Sequence, residues 1–306
     1  MNKPEAANVL ITGGSGLIGR SIGQLLVNRG YSVSILSRTK REHGKFRFYQ
    51  WNLGDAFIEP EAIQNANYIV HLAGENIGEK RWTHERKKQI IESRTESARL
   101  LHRYVAQYNP NLKAFITSSA IGYYGAITTD TIFKETDKAG TDFLGEICSK
   151  WEAAADAFQT DGIRTVKIRT GVVLTPQGGP LAKMVLPAKL GFGSGLGSGK
   201  QYLPWIHIHD LCQIFLKAIE DDQLKGIYNG VAPEHVTNNE FNRVLAKALK
   251  KPFWAPNVPT FVLKLIFGEM ATIFLNGSRI SSDKIRETGV EFQYPELSEA
   301  LQNLLA

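Results

Sequence analysis

A doubly wound α/β fold with a parallel sheet, followed by a smaller, mostly helical C-terminal lobe, is predicted by three observations. Short apolar runs alternate with helix-length stretches through the first half of the chain. A glycine-spaced turn joins the first apolar run to the first helix. Beyond Gly171 the alternation stops, glycines and prolines crowd residues 178–204, and helical patterns dominate the rest of the chain. Alternation of this kind implies parallel strands joined by crossover helices.

Residues 9–12 read as a buried strand, and a helix follows over about 17–29 until Gly30 stops it. Residues 31–36 supply a second strand, and 46–51 and 68–73 a third and a fourth. A longer helix over about 84–107 has Ile90, Ile91, Leu100, Leu101 and Val105 among its apolar positions. Residues 114–118 form the fifth strand, about 143–158 the next helix, and 164–170 the sixth strand. The sheet domain is assigned to residues 1–172 and the C-terminal lobe to 173–306, with crossings back to the sheet expected.

A chain of 306 residues can bury a full core. With 43% hydrophobic and 22% charged residues and no low-complexity tract, it is expected to be folded rather than disordered. No apolar leader precedes the first strand, and the most apolar late segment, 260–275, is short and broken by Lys264 and Glu269. No signal peptide and no membrane partner are expected. The 2 cysteines, Cys148 and Cys212, lack metal-ligand or CxxC spacing, which fits a reducing cytoplasm. The net charge of +6 is scattered, and its densest run, Lys80-Arg81 then Arg86-Lys87-Lys88, includes Glu85 and reads as a solvated helix face. No nucleic-acid partner is expected.

The first strand runs into Thr12-Gly13-Gly14-Ser15-Gly16-Leu17-Ile18-Gly19, with glycines at 13, 16 and 19. Gly13 permits a tight turn, Gly16 lets backbone approach a pyrophosphate, and Gly19 allows the helix to pack closely on the strand. The helix start then offers unpaired N–H groups and the positive end of its dipole to phosphates. Glycines alone are a weak signal; between a buried strand and a helix they mark a Rossmann nucleotide site. The end of the second strand selects the nucleotide. Ser37-Arg38-Thr39-Lys40-Arg41 has no carboxylate before Glu42, and a guanidinium beside a hydroxyl suits a 2′-phosphate. NADP(H) is the expected cofactor.

These residues resemble the extended short-chain dehydrogenase/reductase superfamily, and more closely its atypical nucleotide-sugar-epimerase-like branch, the 39U family of NADP-dependent oxidoreductases. Besides the glycine turn, the resemblance is carried by His71-Leu72-Ala73-Gly74-Glu75-Asn76-Ile77, Lys80-Arg81-Trp82, Glu92-Ser93-Arg94, residues 118–125, Trp151-Glu152-Ala153-Ala154, Arg169-Thr170-Gly171-Val172-Val173-Leu174, Pro204-Trp205-Ile206-His207-Ile208 and Asn229-Gly230-Val231-Ala232-Pro233. It covers nearly the whole chain. It implies cofactor contacts at Leu72, Ala73 and Gly74 along the adenosine and pyrophosphate path. Gln89 and Arg94 on the long helix, and Val173 at the nicotinamide end, extend that path. Glu75, Arg81 and Trp82 are the expected substrate-pocket residues.

The resemblance also implies a tyrosine acid/base, a lysine four residues later, and a strand-five hydroxyl that polarises the substrate. The corresponding helix reads Leu144-Gly145-Glu146-Ile147-Cys148-Ser149-Lys150-Trp151-Glu152. Lys150 in the lysine place puts Glu146 in the tyrosine place; if Glu152 sets the register instead, Leu144 and Cys148 occupy the two places. Neither register gives Tyr-x-x-x-Lys. Ser118 and Ser119 are the candidate hydroxyls, Tyr124 (beside Tyr123) the candidate proton donor, and Lys150 the candidate cation. The glycine-rich segment 193–200 lacks Walker spacing and reads as a substrate-side loop. His207, His209 and Asp210 read as a strand end and helix cap, so no metal is expected. The sequence thus leads to an NADP(H)-dependent oxidoreductase or epimerase-type protein acting on a small molecule, or to a non-catalytic NADP(H)-binding sensor.

Overall fold

The computed structural model describes residues 6–39 and 46–306; Lys40, Arg41 and Glu42 of the turn after the second strand lie outside the described residues. Strands β1 (Asn8–Thr12), β2 (Ser32–Ser37), β3 (Arg47–Asn52), β4 (Phe57–Ile58), β5 (Tyr68–His71), β6 (Ala114–Ala120), β8 (Arg164–Thr170) and β11 (Gly226–Gly230) form an 8-stranded sheet in the order β11-β8-β6-β5-β1-β2-β3-β4. All neighbours are parallel except the β3–β4 pair. Two short pairs stand apart: β9 (Val172–Leu174) with β10 (Trp205–His207), and β7 (Ile132–Phe133) with β12 (Arg279–Ile280). The helices are α1 (Leu17–Asn28), α2 (Pro60–Gln64), α3 (His84–Tyr108), α4 (Phe143–Thr160), α5 (Gly179–Lys189), α6 (Ile208–Glu220), α7 (Asn238–Ala248), α8 (Thr260–Phe267), α9 (Thr272–Leu275), α10 (Asp283–Arg286) and α11 (Leu297–Leu305).

Strand alternation divides the sheet between two helical layers. Val9 and Ile11 of β1 pack with Ile22 and Leu26 of α1 and with Leu211, Ile214 and Phe215 of α6. Leu10 between them faces the other way, with Leu100, Leu101 and Val105 of α3 and Ala155 and Phe158 of α4. Both faces of the sheet are therefore covered, which is why the central strands β1 and β5 are buried along nearly their whole length. The C-terminal lobe shares the first layer: Leu297, Ala300, Leu301 and Leu304 of α11 are buried in the same cluster as Val9.

The expected strands and long helices are present, with ends that differ by at most two residues; β6 and α4 each run two residues further and β5 stops two residues earlier. Two further strands join the sheet: β4 on the β3 edge, and β11, which returns from the C-terminal half to pair with β8. The order of strands reverses between β1 and β5. At such a reversal crossover helices leave on opposite faces and open a crevice beyond the carboxyl ends of the strands. Thr12 and His71 are register partners there, so the glycine turn and the segment after β5 emerge side by side.

Candidate nucleotide site

The glycine turn is shaped by its neighbours. Gly13 has φ +68°, and a Cβ on it would lie 2.9 Å from the Leu72 carbonyl carbon. A Cβ on Gly19 would lie 2.5 Å from the Gly13 carbonyl oxygen and 2.6 Å from the Gly14 Cα. Both positions thus admit only glycine without moving backbone. Gly16 is the N-cap of α1, contributes no side-chain cap, and no acidic residue occupies the first turn. Ser15 and Gly16 are exposed, and Leu17 and Ile18 half-buried. The N–H groups at this helix start are therefore open to an anion. At the end of β2, Ser37 is half-buried and Arg38 exposed; the Ser37 hydroxyl accepts a hydrogen bond from the Thr39 N–H at 3.3 Å.

A buried polar chain that the sequence did not reveal fixes the second wall. The Thr12 hydroxyl accepts the backbone N–H groups of Leu72 and Ala73, both at 3.1 Å, and lies 2.8 Å from His71 Nδ1. On the other side of the ring, His71 Nε2 is 3.1 Å from the Ser97 hydroxyl, which donates to the Ser93 carbonyl at 2.7 Å. Proton inventory sets the direction: Ser97 spends its hydrogen on that carbonyl, so Nε2–H donates to Ser97 and Thr12 donates to Nδ1. The imidazole is neutral, and burial pushes its pKa down to about 4. The chain holds Leu72 and Ala73, half-buried, at the crevice.

A depressed histidine pKa has a consequence for stability. Between the ordinary value near 6.5 and about 4 the unfolded chain binds a proton at His71 that the folded chain does not. Stability contributed by His71 is thus complete above that window and falls as pH drops through it, by about 2 kcal/mol at pH 5. His207, also lowered to about 4 by burial, acts in the same window. Urea midpoints at pH 7.5 and pH 5 should show the loss, and His71→Gln should make it smaller. Equal losses in both proteins would refute the assignment.

The loop after β5 is clamped onto α3. The Glu75 N–H donates to the Ser93 hydroxyl at 3.0 Å, and Arg94 donates to the Glu75 carbonyl at 3.0 Å and the Ile90 carbonyl at 2.9 Å. Arg86, expected on a solvated helix face, is instead buried: it turns inward to pair with the Glu75 carboxylate at 2.9 Å and donates to the Asn76 carbonyl at 2.8 Å. Arg94 pairs with neither Glu92 nor Glu96; its guanidinium lies over the Trp151 ring at 4.9 Å and against Gly74. Burial lowers its pKa to about 10, and its Nε has no partner. Two guanidinium groups thus converge on Glu75 beside the strand ends, Arg86 on its carboxylate and Arg94 on its backbone carbonyl. Gln89 is exposed one turn before Ser93.

Arg81 and Trp82 brace the C-terminal lobe. Arg81 donates through Nε to the Ile266 carbonyl at 2.7 Å and through a second nitrogen to the Leu265 carbonyl, both at the end of α8. Trp82 is buried, donates to the Ile77 carbonyl at 2.9 Å, and packs edge-on against Phe143. Val173 is half-buried in β9, in register with Ile206. The glycine-rich segment 193–200 is laced rather than loose: Leu196 bridges Val258, and Gln201 donates to the carbonyls of Leu196 and Phe274. His207 caps α6 by accepting the His209 N–H, and Asp210 accepts the N–H groups of Gln293 and Tyr294.

At the end of β6 the candidate catalytic residues separate. Ser119 donates to Glu152 Oε1 at 2.8 Å, and Glu152 receives Arg169 in a two-point pair at 2.8 and 2.9 Å. Arg169 also donates to the Tyr124 hydroxyl at 3.0 Å, which itself donates to Asn229 at 2.7 Å. Ser118 is buried beside them, 3.3 Å from the Thr170 hydroxyl. Burial raises the Tyr124 pKa to about 12. Burial works against the Arg169 charge, but hydrogen bonds and charge from Glu152 hold its pKa above the ordinary value. Lys150 stands apart, exposed and paired with Glu146 at 2.6 Å. The face of α4 that carries Glu152 also carries Cys148 and Leu144, one and two turns back, which lie against Gly122. Burial lifts the Cys148 thiol to about 12. Tyr123 is half-buried, its ring stacked on the Arg169 guanidinium at 3.3 Å.

Among the described residues no helix is long and apolar enough to cross a membrane, and no group of His, Cys, Asp and Glu side chains is arranged to hold a metal ion. The model of the NAD dependent epimerase/dehydratase family matches residues 9–229, and that of a domain of unknown function (DUF1731) matches residues 258–304. The chain is 35% identical over 301 residues to the epimerase family protein SDR39U1 of Mus musculus, covering 97% of this chain and 99% of that protein. It is 33% identical to the epimerase family protein YfhF of Bacillus subtilis (strain 168), covering 98% of each. The crystal structure of human SDR39U1 (isoform 2) with NADPH superposes with a TM-score of 0.85 at 32% identity, covering 97% of this chain and 98% of that one. The chain therefore belongs to the NAD dependent epimerase/dehydratase family.

Proposed function

We propose that this protein binds NADP(H) at the β1–β5 crevice and acts as an oxidoreductase or epimerase-type enzyme on a small polar molecule. The observation that carries the reading is the uncapped start of α1 at Gly16, together with an exposed arginine and no carboxylate at the end of β2. The crevice fits the group. The open N–H groups of α1 receive the pyrophosphate, Ser37 and Arg38 the 2′-phosphate, and Leu72 and Ala73 line the path between them. Arg86 and Arg94, with only the Glu75 carboxylate between them, add positive charge behind the strand ends. The bound nicotinamide would supply hydride exchange; this chain's residues bind, orient and cover it. The NADPH in the human relative's structure supports the same choice of cofactor.

A second reading, a non-catalytic NADP(H)-binding sensor, is favoured by one observation. The Ser119 and Tyr124 hydroxyls are spent inside a buried network, and Lys150 is turned onto Glu146. Titrating wild type and Arg38→Ala with NADPH and NADH tests the shared premise. Wild type should prefer NADPH, and the variant should lose about 1.5–3 kcal/mol of NADPH affinity while NADH affinity hardly changes. Tighter binding of NADH by the wild type would overturn it. Turnover of NADPH with a panel of carbonyl compounds separates the readings: tight binding without oxidation of cofactor selects the sensor.

A further inference from the structure

Two stretches of the C-terminal lobe combine exposed apolar groups with charge of one sign. Residues 179–200 and 247–268 contain 7 lysines and no aspartate or glutamate, in a chain whose net charge is +6. All of these lysines, at 183, 189, 200, 247, 250, 251 and 264, are exposed. None forms an ion pair among the described residues. The same stretches hold every large apolar side chain more than half exposed among the described residues. These are Leu186, Leu190 and Phe192 on the first, and Trp254, Phe261, Leu265 and Ile266 on the second, at 52–74%. Single exposed apolar residues need no explanation, but a concentration of this kind does.

The stretches are joined in space. Leu196 bridges Val258, the Val258 N–H donates to the Gly195 carbonyl, and the Gly197 N–H donates to the Val258 carbonyl, both at 2.9 Å. Helical spacing places Phe261, Lys264 and Leu265 on one face of α8, and Lys183, Leu186 and Leu190 along one stripe at α5. In α8 only Leu263 is buried, so most of that helix has no partner within the chain. Arg81 and the Lys87–Glu269 pair hold its end firmly, which makes the exposure a property of a fixed surface.

We propose that these two joined stretches dock the protein on an anionic lipid bilayer, with the apolar side chains entering the headgroup region and the lysines meeting lipid phosphates. Charge selects this occupant. A second copy of the same stretches would set lysines against lysines, and an apolar partner alone would leave them unused. Aromatic and leucine side chains interspersed with lysine are the chemistry that adsorbs at a bilayer surface without spanning it. Binding of this kind would revise the expectation of no membrane partner, because a surface-bound segment requires no spanning helix.

Flotation of the full chain with vesicles tests the proposal. Wild type should float with phosphatidylcholine vesicles containing about 30% phosphatidylglycerol, and at least about tenfold less with phosphatidylcholine alone. Salt at about 0.5 M should weaken the binding. Phe261→Asp with Leu265→Asp, and separately Lys250→Glu with Lys251→Glu, should each reduce flotation about tenfold or more while NADPH affinity, which reports the fold, stays unchanged. Absence of wild-type flotation on the anionic vesicles, or equal flotation by the apolar variant, would overturn the proposal. So would a self-association that the apolar variant abolishes while vesicle binding persists.

Discussion

Arg169→Met is expected to destabilise the fold by about 3–5 kcal/mol, because it leaves the Glu152 carboxylate buried with only the Ser119 hydroxyl to meet it. The side chains of Arg169 and Glu152 are 1% and 6% exposed, so water cannot replace the lost guanidinium. Tyr124 would lose one of its two partners at the same time. A small domain has about 5–15 kcal/mol to lose in total, so the variant should unfold at a much lower urea concentration. Replacing both members, as Glu152→Leu with Arg169→Met, should cost less than the sum of the single changes, since no unpaired charge remains. Additive losses would mean that the pair contributes nothing as a pair.

That network also shows where sequence reading stops. The glycine turn, the strands flanking it and the helix start were legible because each rests on contiguous residues with a local physical demand. Arg38 was legible as an arginine in a place where a carboxylate has a known consequence. The Glu152–Arg169 pair joins residues 17 apart on α4 and β8, and Tyr124 reaches Asn229 across 105 positions. No spacing rule announces such contacts. The same holds for Thr12, His71 and Ser97, whose chain depends on β1 pairing with β5 and on which face of α3 points inward. Strand β11 was hidden for a related reason: Gly226–Gly230 is short and glycine-bounded, and it becomes a strand by pairing with β8. The register of α4 was open between two choices, and the contact of Ser119 with Glu152 settles which face points inward.

Gly19→Ala is expected to lower NADPH affinity by about a hundredfold, or about 2.7 kcal/mol. The added methyl group would lie 2.5 Å from the Gly13 carbonyl oxygen and 2.6 Å from the Gly14 Cα, and neither is the end of a flexible side chain. Relief requires α1 to slide away from β1, and that moves the open N–H groups from the position where they meet the pyrophosphate. The fold should survive, since an overpacking strain of about 1–3 kcal/mol falls short of total stability. Gly30→Asn is the matched control. Gly30 also closes α1, with φ +87°, but nothing lies within 4 Å of its Cβ position. It should leave NADPH affinity within about threefold, because asparagine tolerates that backbone and the helix start does not move. If Gly19→Ala stays folded and binds NADPH as the control does, the pyrophosphate does not sit on the start of α1. The positive charge of Arg38, Arg86 and Arg94 would then have to hold the nucleotide by itself, and the loss on Arg38→Ala would grow accordingly.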